Sequence, residues 1–236
     1  MGVAEHNVRR IFPRIVRILP HDREAFTQGL ICYNGYLYES TGLIRQSSLR
    51  QIRLSDGVET SVHLLDRELF AEGIAILNGL LYQLTWKSGK AIVYDTASLR
   101  EVKEVPYKGE GWGLTAATNF LIMSDGSSKL TFRNEDFQIL RRLGVTSHGI
   151  PLRHINDIEW VHGKVYANIF NSHCVLEING SNGHLERIID CSTLLALEQP
   201  KNSNHVLNGI AYNEDSNTFF LTGKCWEHLY EVEIPT

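Results

Sequence analysis

The stretch Phe70-Ala71-Glu72-Gly73-Ile74 decides the fold of this chain, because its layout recurs four more times. A polar or amphipathic residue leads into an apolar run that is typical of a buried strand. The five leading residues are Gln28, Glu72, Trp112, Asn156 and Asn208. They lie 44, 40, 44 and 52 residues apart, and Glu72 is the only acid among them. A polar position that recurs once per repeat indicates five equivalent sites converging on one axis.

Each repeat continues with further short strands. Turns such as Asn34-Gly35 and Asn78-Gly79 precede the second strands, and Asn-Gly before alternating apolar residues is a strong hairpin signal. Third strands follow in all five repeats and fourth strands in the first four, whereas the last repeat ends without one. An unassigned strand at about residues 14–19 can supply it by pairing with residues 228–234.

Four strands per unit at a period of about 40–45 residues are typical of a β-propeller. We therefore predict an all-β, five-bladed β-propeller with four antiparallel strands per blade, closed as a ring by the N-terminal strand. It forms a single domain over residues 1–236. The one predicted helix is Ser192–Glu198, ended by Pro200.

Composition excludes several classes of function. The net charge is −4 and basic residues form no cluster, which argues against a nucleic-acid partner. No apolar run approaches the roughly 20 residues of a membrane span, and residues 1–5 show no signal-peptide core. The four cysteines show no C-x-x-C spacing, which favours buried free thiols over disulfides.

The mouth of the predicted channel should collect side chains from every blade. Besides the leading residues, the ends of the second strands contribute polar or aromatic residues, namely Thr41, Trp86, Asp125, Asn168 or Phe170, and Lys224. Singly, each has a structural explanation, such as hairpin capping for the amides or blade packing for the indoles. Their shared repeat phase favours one pocket with an acid, amides, indoles, a hydroxyl and an ammonium. No H-E-x-x-H, G-x-S-x-G or phosphate-binding loop is present, so we predict no metal site.

Several longer motifs, in order from about residue 20 to the C-terminus, resemble the plant and bacterial type of glutaminyl cyclase. They are Phe26-Thr27-Gln28-Gly29-Leu30, Tyr38-Glu39-Ser40-Thr41-Gly42-Leu43, Ser47-Ser48-Leu49-Arg50, Leu81-Tyr82-Gln83-Leu84-Thr85-Trp86, Gly109-Glu110-Gly111-Trp112-Gly113-Leu114-Thr115, Ser124-Asp125-Gly126-Ser127, Val206-Leu207-Asn208-Gly209-Ile210-Ala211-Tyr212 and Leu221-Thr222-Gly223-Lys224. That family is a five-bladed propeller that converts N-terminal Gln of peptides into pyroglutamate with release of ammonia, without a catalytic zinc ion.

The resemblance implies that Glu72 is the acid/base. It also implies that Phe26, Gln28, Trp86, Trp112, Asn156, Phe170 and Lys224 surround the substrate. Close to these residues, the sequence differs from the family pattern at two positions. Phe170 stands where the family commonly has Trp, and Asp157 stands where Glu is usual. No cofactor is required, while a structural cation in the channel is left open. The resemblance also favours a secretory, extracellular or periplasmic location, with any signal peptide absent from this chain.

The chemistry agrees with these residues. The substrate's own α-amine is the nucleophile, so the protein needs no Ser or Cys and must instead hold the side chain curled and move one proton. The expected partners are peptides or proteins with N-terminal Gln, and the chain is expected to be a monomer. Two alternatives remain: a non-enzymatic propeller whose Glu72 pairs with a peptide ammonium, and a metal-dependent hydrolase. The hydrolase would require several carboxylates at the axis, where only one is found.

Overall fold

Five four-stranded antiparallel sheets dominate the computed structural model, which describes residues 8–235. Blade 1 contains Thr27–Tyr33, Tyr36–Thr41, Ser48–Arg53 and Glu59–Leu64. Blade 2 contains Ala71–Leu77, Leu80–Thr85, Lys90–Asp95 and Glu101–Pro106. Blade 3 contains Leu114–Ala117, Phe120–Met123, Lys129–Arg133 and Ile139–Gly144. Blade 4 contains Ile155–Val161, Lys164–Ile169, Cys174–Asn179 and Leu185–Asp190, and blade 5 contains Leu207–Asn213, Thr218–Gly223, His228–Glu233 and Arg14–Pro20.

This arrangement is a five-bladed β-propeller, as the repeats predicted. The helix Ser192–Glu198 follows blade 4, where the sequence placed it, and a small hairpin of Thr146–Ser147 and Ile150–Pro151 follows blade 3. The prediction about a signal peptide at residues 1–5 lies outside the described residues. The extension of a single domain to residues 1–236 stays a prediction.

The predicted ring closure is confirmed. Arg14–Pro20 pairs antiparallel with His228–Glu233, with Ile18 opposite Tyr230. Arg17 reinforces the joint through an ion pair with Glu231, in which Nε and Oε2 are 2.9 Å apart. The first strand of blade 5 by chain order is therefore its outermost strand, and it covers the edge that His228–Glu233 would otherwise expose.

A second N-terminal strand was not predicted. Arg9–Ile11 adds to the outer edge of blade 4 and pairs in parallel with Leu185–Asp190. Ile11 is buried in the core between blades 4 and 5, and Arg10 donates a hydrogen bond of 2.5 Å to Asp190. Three residues are too few to show a strand periodicity, so the sequence contained no pattern that could reveal this strand. The segment before blade 1 thus ties blade 4 to blade 5.

Glycines allow the inner strands of neighbouring blades to approach each other. A Cβ atom built on Gly29 would lie only 2.7 Å from Cα of Gly73, and one on Gly73 would collide with the backbone at Gly113 and Leu114. These glycines directly follow the leading residues Gln28 and Glu72. The polar–glycine layout that revealed the repeats therefore marks the places where the inner strands of neighbouring blades lie closest together.

Candidate active site

Four of the five leading residues lie where the inner strands break their regular pairing, and the fifth, Trp112, precedes the inner strand of blade 3. The register of blade 2 shifts between Ala71 and Ile74, so Glu72 leaves the ladder in a β-bulge. Equivalent shifts occur in blades 1, 4 and 5, at Thr27/Gly29, Ile155/Ile158 and Leu207/Ile210. Because a bulge turns a side chain away from the regular alternation, a polar residue at this position can point into the mouth of the ring instead of the blade core.

These residues form a cavity of about 330 Å³. It is lined by Phe26, Gln28, Leu43, Phe70, Glu72, Trp86, Trp112, Asn156, Phe170 and Lys224. The lining contains all eight side chains that the sequence assigned to the site, and they come from all five blades or their connections. The structure thus brings the predicted set together, while the individual roles stay predictions.

Four other side chains that were expected at the mouth do not line the cavity. They are Thr41, Asp125, Asn208 and Asn168, the last of which was expected only as an alternative to Phe170, which does line the cavity. The Thr41 hydroxyl is instead hydrogen-bonded to Ser48 at 2.6 Å, and Oδ1 of Asn168 accepts the backbone N–H of Gly209 at 3.1 Å. The expectation of a hydroxyl group in the pocket was therefore wrong, because this hydroxyl is used within its own blade.

Two lining residues, Phe70 and Leu43, were not predicted. Phe70 stands two residues before Glu72, as Phe26 stands two residues before Gln28, so the repeat phase could have identified it. Leu43 adopts a left-handed backbone conformation, with a φ of 80°, beyond the end of the second strand of blade 1. No local pattern marks it as a pocket residue.

Glu72 is the only acid in the lining and is 4% exposed. Within residues 8–235, no group hydrogen-bonds its carboxylate. Burial raises the pKa of Glu72 well above its usual value, the Lys224 ammonium opposes this rise, and the charges of Asp157 and Glu110 add to it. The result is a carboxylate with high proton affinity and unused lone pairs, which suits proton transfer near neutral pH.

Lys224 provides the positive charge of the pocket. It is 4% exposed, and its Nζ lies 4.7 Å from the ring centroid of Phe26 and 5.5 Å from that of Phe170. Burial lowers the pKa of Lys224, whereas the Glu72 and Asp157 carboxylates raise it. The aromatic rings hold the ammonium beside the cavity by cation–π contact.

Aromatic side chains form two groups of packed rings along the cavity. Phe70 packs against Trp86 with ring centroids 5.5 Å apart, and against Phe26 at 6.5 Å. On the other side, Trp112 meets Phe170 edge-to-face at 6.0 Å. Such a wall excludes water and can hold an aliphatic side chain in one conformation.

The two amides of the lining have unused hydrogen-bonding capacity. Gln28 and Asn156 are both 3% exposed, and their side-chain oxygens have no hydrogen-bond partner within residues 8–235. Buried polar atoms are rarely left unpaired, so these amides are available to a ligand.

Asp157 occupies the repeat position that is glycine in the other four blades, at Gly29, Gly73, Gly113 and Gly209. Its side chain is fully buried, and Oδ2 accepts the backbone N–H of Ile210 at 3.0 Å. Burial raises the pKa of Asp157 well above its usual value. This second acid therefore lies next to the pocket in sequence but serves the joint between blades 4 and 5.

Metal-ligating side chains come together elsewhere in the described part of the chain. Ligand atoms of His173, Cys174 and Asp190 lie within 4.8 Å of one another on blade 4. The Arg10 guanidinium already donates a hydrogen bond of 2.5 Å to Asp190. The positive charge beside this carboxylate is therefore supplied by an arginine side chain. All four cysteines are free thiols, as the sequence favoured, but only Cys174 and Cys191 are buried, while Cys32 and Cys225 are partly exposed.

The fold and the cavity define a propeller whose mouth holds one buried acid, one buried ammonium and two free amides inside aromatic walls. Similarity to known proteins agrees with this class. The family model for glutamine cyclotransferase matches residues 2–234. The chain is 34% identical to a glutaminyl-peptide cyclotransferase of Arabidopsis thaliana, across 97% of this chain and 72% of that protein. The chain belongs to the glutamine cyclotransferase family, as its motifs indicated.

Solved structures give the same result. The glutaminyl cyclase of Myxococcus xanthus superposes with a TM-score of 0.90 at 38% identity, covering 96% of this chain and 98% of that one. The WD40 repeats of RRP9 superpose with a TM-score of 0.62 at 7% identity, covering 94% and 99%, which shows the propeller fold alone. The family and its named relatives support an enzyme and give no support to a non-enzymatic peptide-binding propeller.

Proposed function

We propose that this protein converts the N-terminal glutamine of peptides and proteins into pyroglutamate and releases ammonia. One observation carries the proposal: the cavity contains a single buried carboxylate, Glu72, whose lone pairs have no partner within residues 8–235. A cyclisation that moves one proton between two nitrogens of the same substrate requires one such group. Membership of the family supports the same reaction.

The reaction forms one bond and breaks one bond. The α-nitrogen of the substrate attacks the carbonyl carbon of its own side-chain amide, which creates a five-membered ring and an oxyanion. Glu72 accepts a proton from the attacking nitrogen and delivers it to the departing NH₂ group, because an amide ion is a very poor leaving group. The C–NH₂ bond then breaks, the carbonyl re-forms, and ammonia leaves with the carboxylate restored.

The remaining lining residues supply binding and geometry. The walls of Phe26, Trp86, Trp112 and Phe170 hold the curled side chain as a near-attack conformer. Gln28 and Asn156 hydrogen-bond the substrate through side-chain oxygens that have no other partner within residues 8–235. Lys224 or one of these amides stabilises the developing oxyanion.

We further propose that no metal ion takes part in the chemistry, since the cavity lining offers one carboxylate and no His or Cys. The expected partners are peptide and protein substrates, bound by a monomer, with no nucleic acid. None of the helices in residues 8–235 has the length and apolar character of a membrane span. A secretory, extracellular or periplasmic location is proposed from the family resemblance, and cell fractionation with sedimentation of the purified protein would test both location and oligomeric state.

The test is a product assay with three matched peptides. A Gln-initiated dipeptide should yield pyroglutamyl product and equimolar ammonia. The same peptide with an acetylated α-amine, and its Asn-initiated analogue, should yield neither, because the first lacks the nucleophile and the second cannot close the five-membered ring. The rate should rise from acid toward about pH 8, where an unperturbed α-amine loses its proton. Tight binding of the Gln peptide without product would instead establish a peptide-binding propeller.

A further inference from the structure

Glu110 lies outside the cavity and hydrogen-bonds both tryptophans of its wall. Its Oε2 accepts a hydrogen bond from Nε1 of Trp86 at 2.8 Å and another from Nε1 of Trp112 at 3.1 Å. Glu110 is not itself part of the cavity lining. We propose that Glu110 is a positioning residue that fixes the orientation of both indoles, and through them the conformation of the bound side chain. The functional part of this proposal rests on the proposed cyclase activity.

The backbone around Glu110 is built to hold it between blades 2 and 3. Gly109 has a φ of 91°, a left-handed conformation that favours glycine, and a Cβ atom on Gly111 would collide with the hydroxyl group of Tyr107. The N–H of Gly111 donates to the carbonyl of Trp86 at 3.0 Å. This hydrogen bond attaches the turn to blade 2 before the chain enters blade 3. The backbone of Glu110 is therefore held between the two blades.

The interaction is charge-assisted. The hydrogen bond from Trp112 lowers the pKa of Glu110 most. Burial is the next largest effect and raises it, but the hydrogen bond from Trp86 and the nearby Lys87 ammonium lower it further, so the net shift is downward. The group is consequently ionised at neutral pH, and an ionised acceptor bonds two N–H donors more strongly than a neutral one. Lys87 also lies 3.9 Å above the Trp86 ring, but it is exposed and its ion pair with Glu110 spans 3.6 Å, so it adds little.

Two consequences follow for the pocket. Both indole N–H groups are used by Glu110, so the tryptophans present ring surfaces to the substrate and no donors. A single oxygen also couples the walls, because a rotation of either indole breaks its bond to the shared acceptor. Glu110 thereby acts on geometry, which separates it from Glu72, the acid that lines the cavity.

The experiment compares Glu110→Leu with Glu110→Gln, and uses Glu104→Gln as the matched control. Glu104 is an exposed acid of blade 2 that pairs with Lys90, away from the cavity. The first readout is the indole N–H region of the ¹H–¹⁵N NMR spectrum of the substrate-free protein. The chain has four tryptophans, so Trp160 and Trp226 serve as internal references. The second readout is kcat/KM for a Gln-initiated dipeptide.

Glu110→Leu should move the Trp86 and Trp112 resonances to the positions of unbonded indoles and leave the two reference resonances in place. It should lower kcat/KM roughly 10- to 100-fold, the cost typical of a misplaced substrate contact. Glu110→Gln keeps a carbonyl acceptor, so it should restore at least part of both the resonance positions and the activity. Glu104→Gln should match the wild type in both readouts.

The proposal is overturned if folded Glu110→Leu keeps both indole resonances and full activity. It is equally overturned if activity falls while the resonances stay in place, because Glu110 would then act on the substrate directly. If Glu110→Leu fails to fold, Glu110→Gln decides by the same criteria: unmoved indole resonances with a large loss of activity exclude a positioning role. A wild-type protein without cyclase activity would refute the proposed function, whereas the indole resonances would still test the positioning.

Discussion

Two buried glutamates on inner strands, Glu72 in blade 2 and Glu159 in blade 4, differ in their hydrogen bonding. Both are nearly inaccessible to solvent, at 4% and 8% exposure. Glu159 lies in a different cavity, near the hairpin turn Asn34-Gly35, and its oxygens accept the Thr115 hydroxyl at 2.8 Å and the Tyr212 N–H at 3.1 Å. Glu72 has no comparable partner in residues 8–235.

The difference shows that burial alone does not identify a catalytic acid. Burial raises the pKa of Glu159 to about 7 despite its hydrogen bonds, and raises that of Glu72 well above its usual value. The lone pairs of Glu159 are committed to the joints between blades 3, 4 and 5. The Glu72 carboxylate has no such partner within residues 8–235, so we predict that Glu72, and not Glu159, exchanges a proton with the substrate.

The largest effect is expected from exchanging each acid for its amide. Glu72→Gln should lower kcat by about 10²–10⁴-fold, because the amide cannot move a proton and one acid–base group contributes roughly that factor. Thermal stability should be kept or rise, since the shape is preserved and a buried charge is relieved. Glu159→Gln should stay within about threefold of wild-type activity. Equal losses in both variants, measured as steady-state ammonia release, would erase the distinction between the two acids.

The next largest effect is expected in the pH dependence of the free energy of unfolding. An unfolded Glu titrates near 4.3, so between that pH and about 7 the folded protein retains a proton on Glu159 that the unfolded chain has lost. The free energy of unfolding should therefore fall as pH rises through this window, by about 4 kcal/mol from this residue. Glu159→Gln should flatten that part of the curve in urea unfolding at several pH values. An unchanged slope would show that Glu159 is ionised in the folded state.

A smaller effect is expected at the walls. Trp86→Ala and Trp112→Ala should each weaken transition-state binding by roughly 1–3 kcal/mol, which is measured as a lower kcat/KM. Each substitution removes one aromatic face that holds the curled side chain. Trp226 is the matched control, since it is 1% exposed in the core between blades 4 and 5. Trp226→Ala should cost stability, about 3–5 kcal/mol, before it costs activity. Wild-type kcat/KM in both wall variants would assign Trp86 and Trp112 to blade packing.

The smallest effect is expected from removing metal ions. Prolonged dialysis against EDTA should leave kcat/KM unchanged, because no proposed step requires a Lewis acid. The same sample should be scanned calorimetrically, so that any loss of stability is distinguished from loss of chemistry. A loss of activity at full stability, restored by a divalent ion, would contradict the mechanism.

Much of the architecture could be predicted from local patterns. The Asn-Gly hairpins have the positive φ values that such turns require, 50° at Asn34 and 52° at Asn78. The polar–glycine stretches recur at blade spacing, which was enough to count the blades and to place Gln28, Glu72, Trp112 and Asn156 around one cavity. Burial alternation and turn chemistry are properties of a few adjacent residues, so they can be read directly from the chain.

Other features depend on residues that are distant in the sequence. The strand Arg9–Ile11 pairs with Leu185–Asp190, about 180 residues away, and its three residues have no pattern of their own. Asp157 fills the position of a missing glycine and accepts the N–H of Ile210 from the next blade. These pairings depend on which blades pack side by side. A short stretch of sequence carries no information about that packing.

The sequence by itself determined the number of blades and the closure of the ring, because both follow from periodicity. Repeat phase and the family motifs together also gave eight of the ten cavity-lining residues, but not Leu43 or Phe70. Only the tertiary structure decided which acid is free and which is bonded. Glu72 and Glu159 are both acids on predicted inner strands, and Glu110 was one more acid in a glycine-rich turn. Their different roles arise from hydrogen bonds across blade joints, which form only when the ring closes.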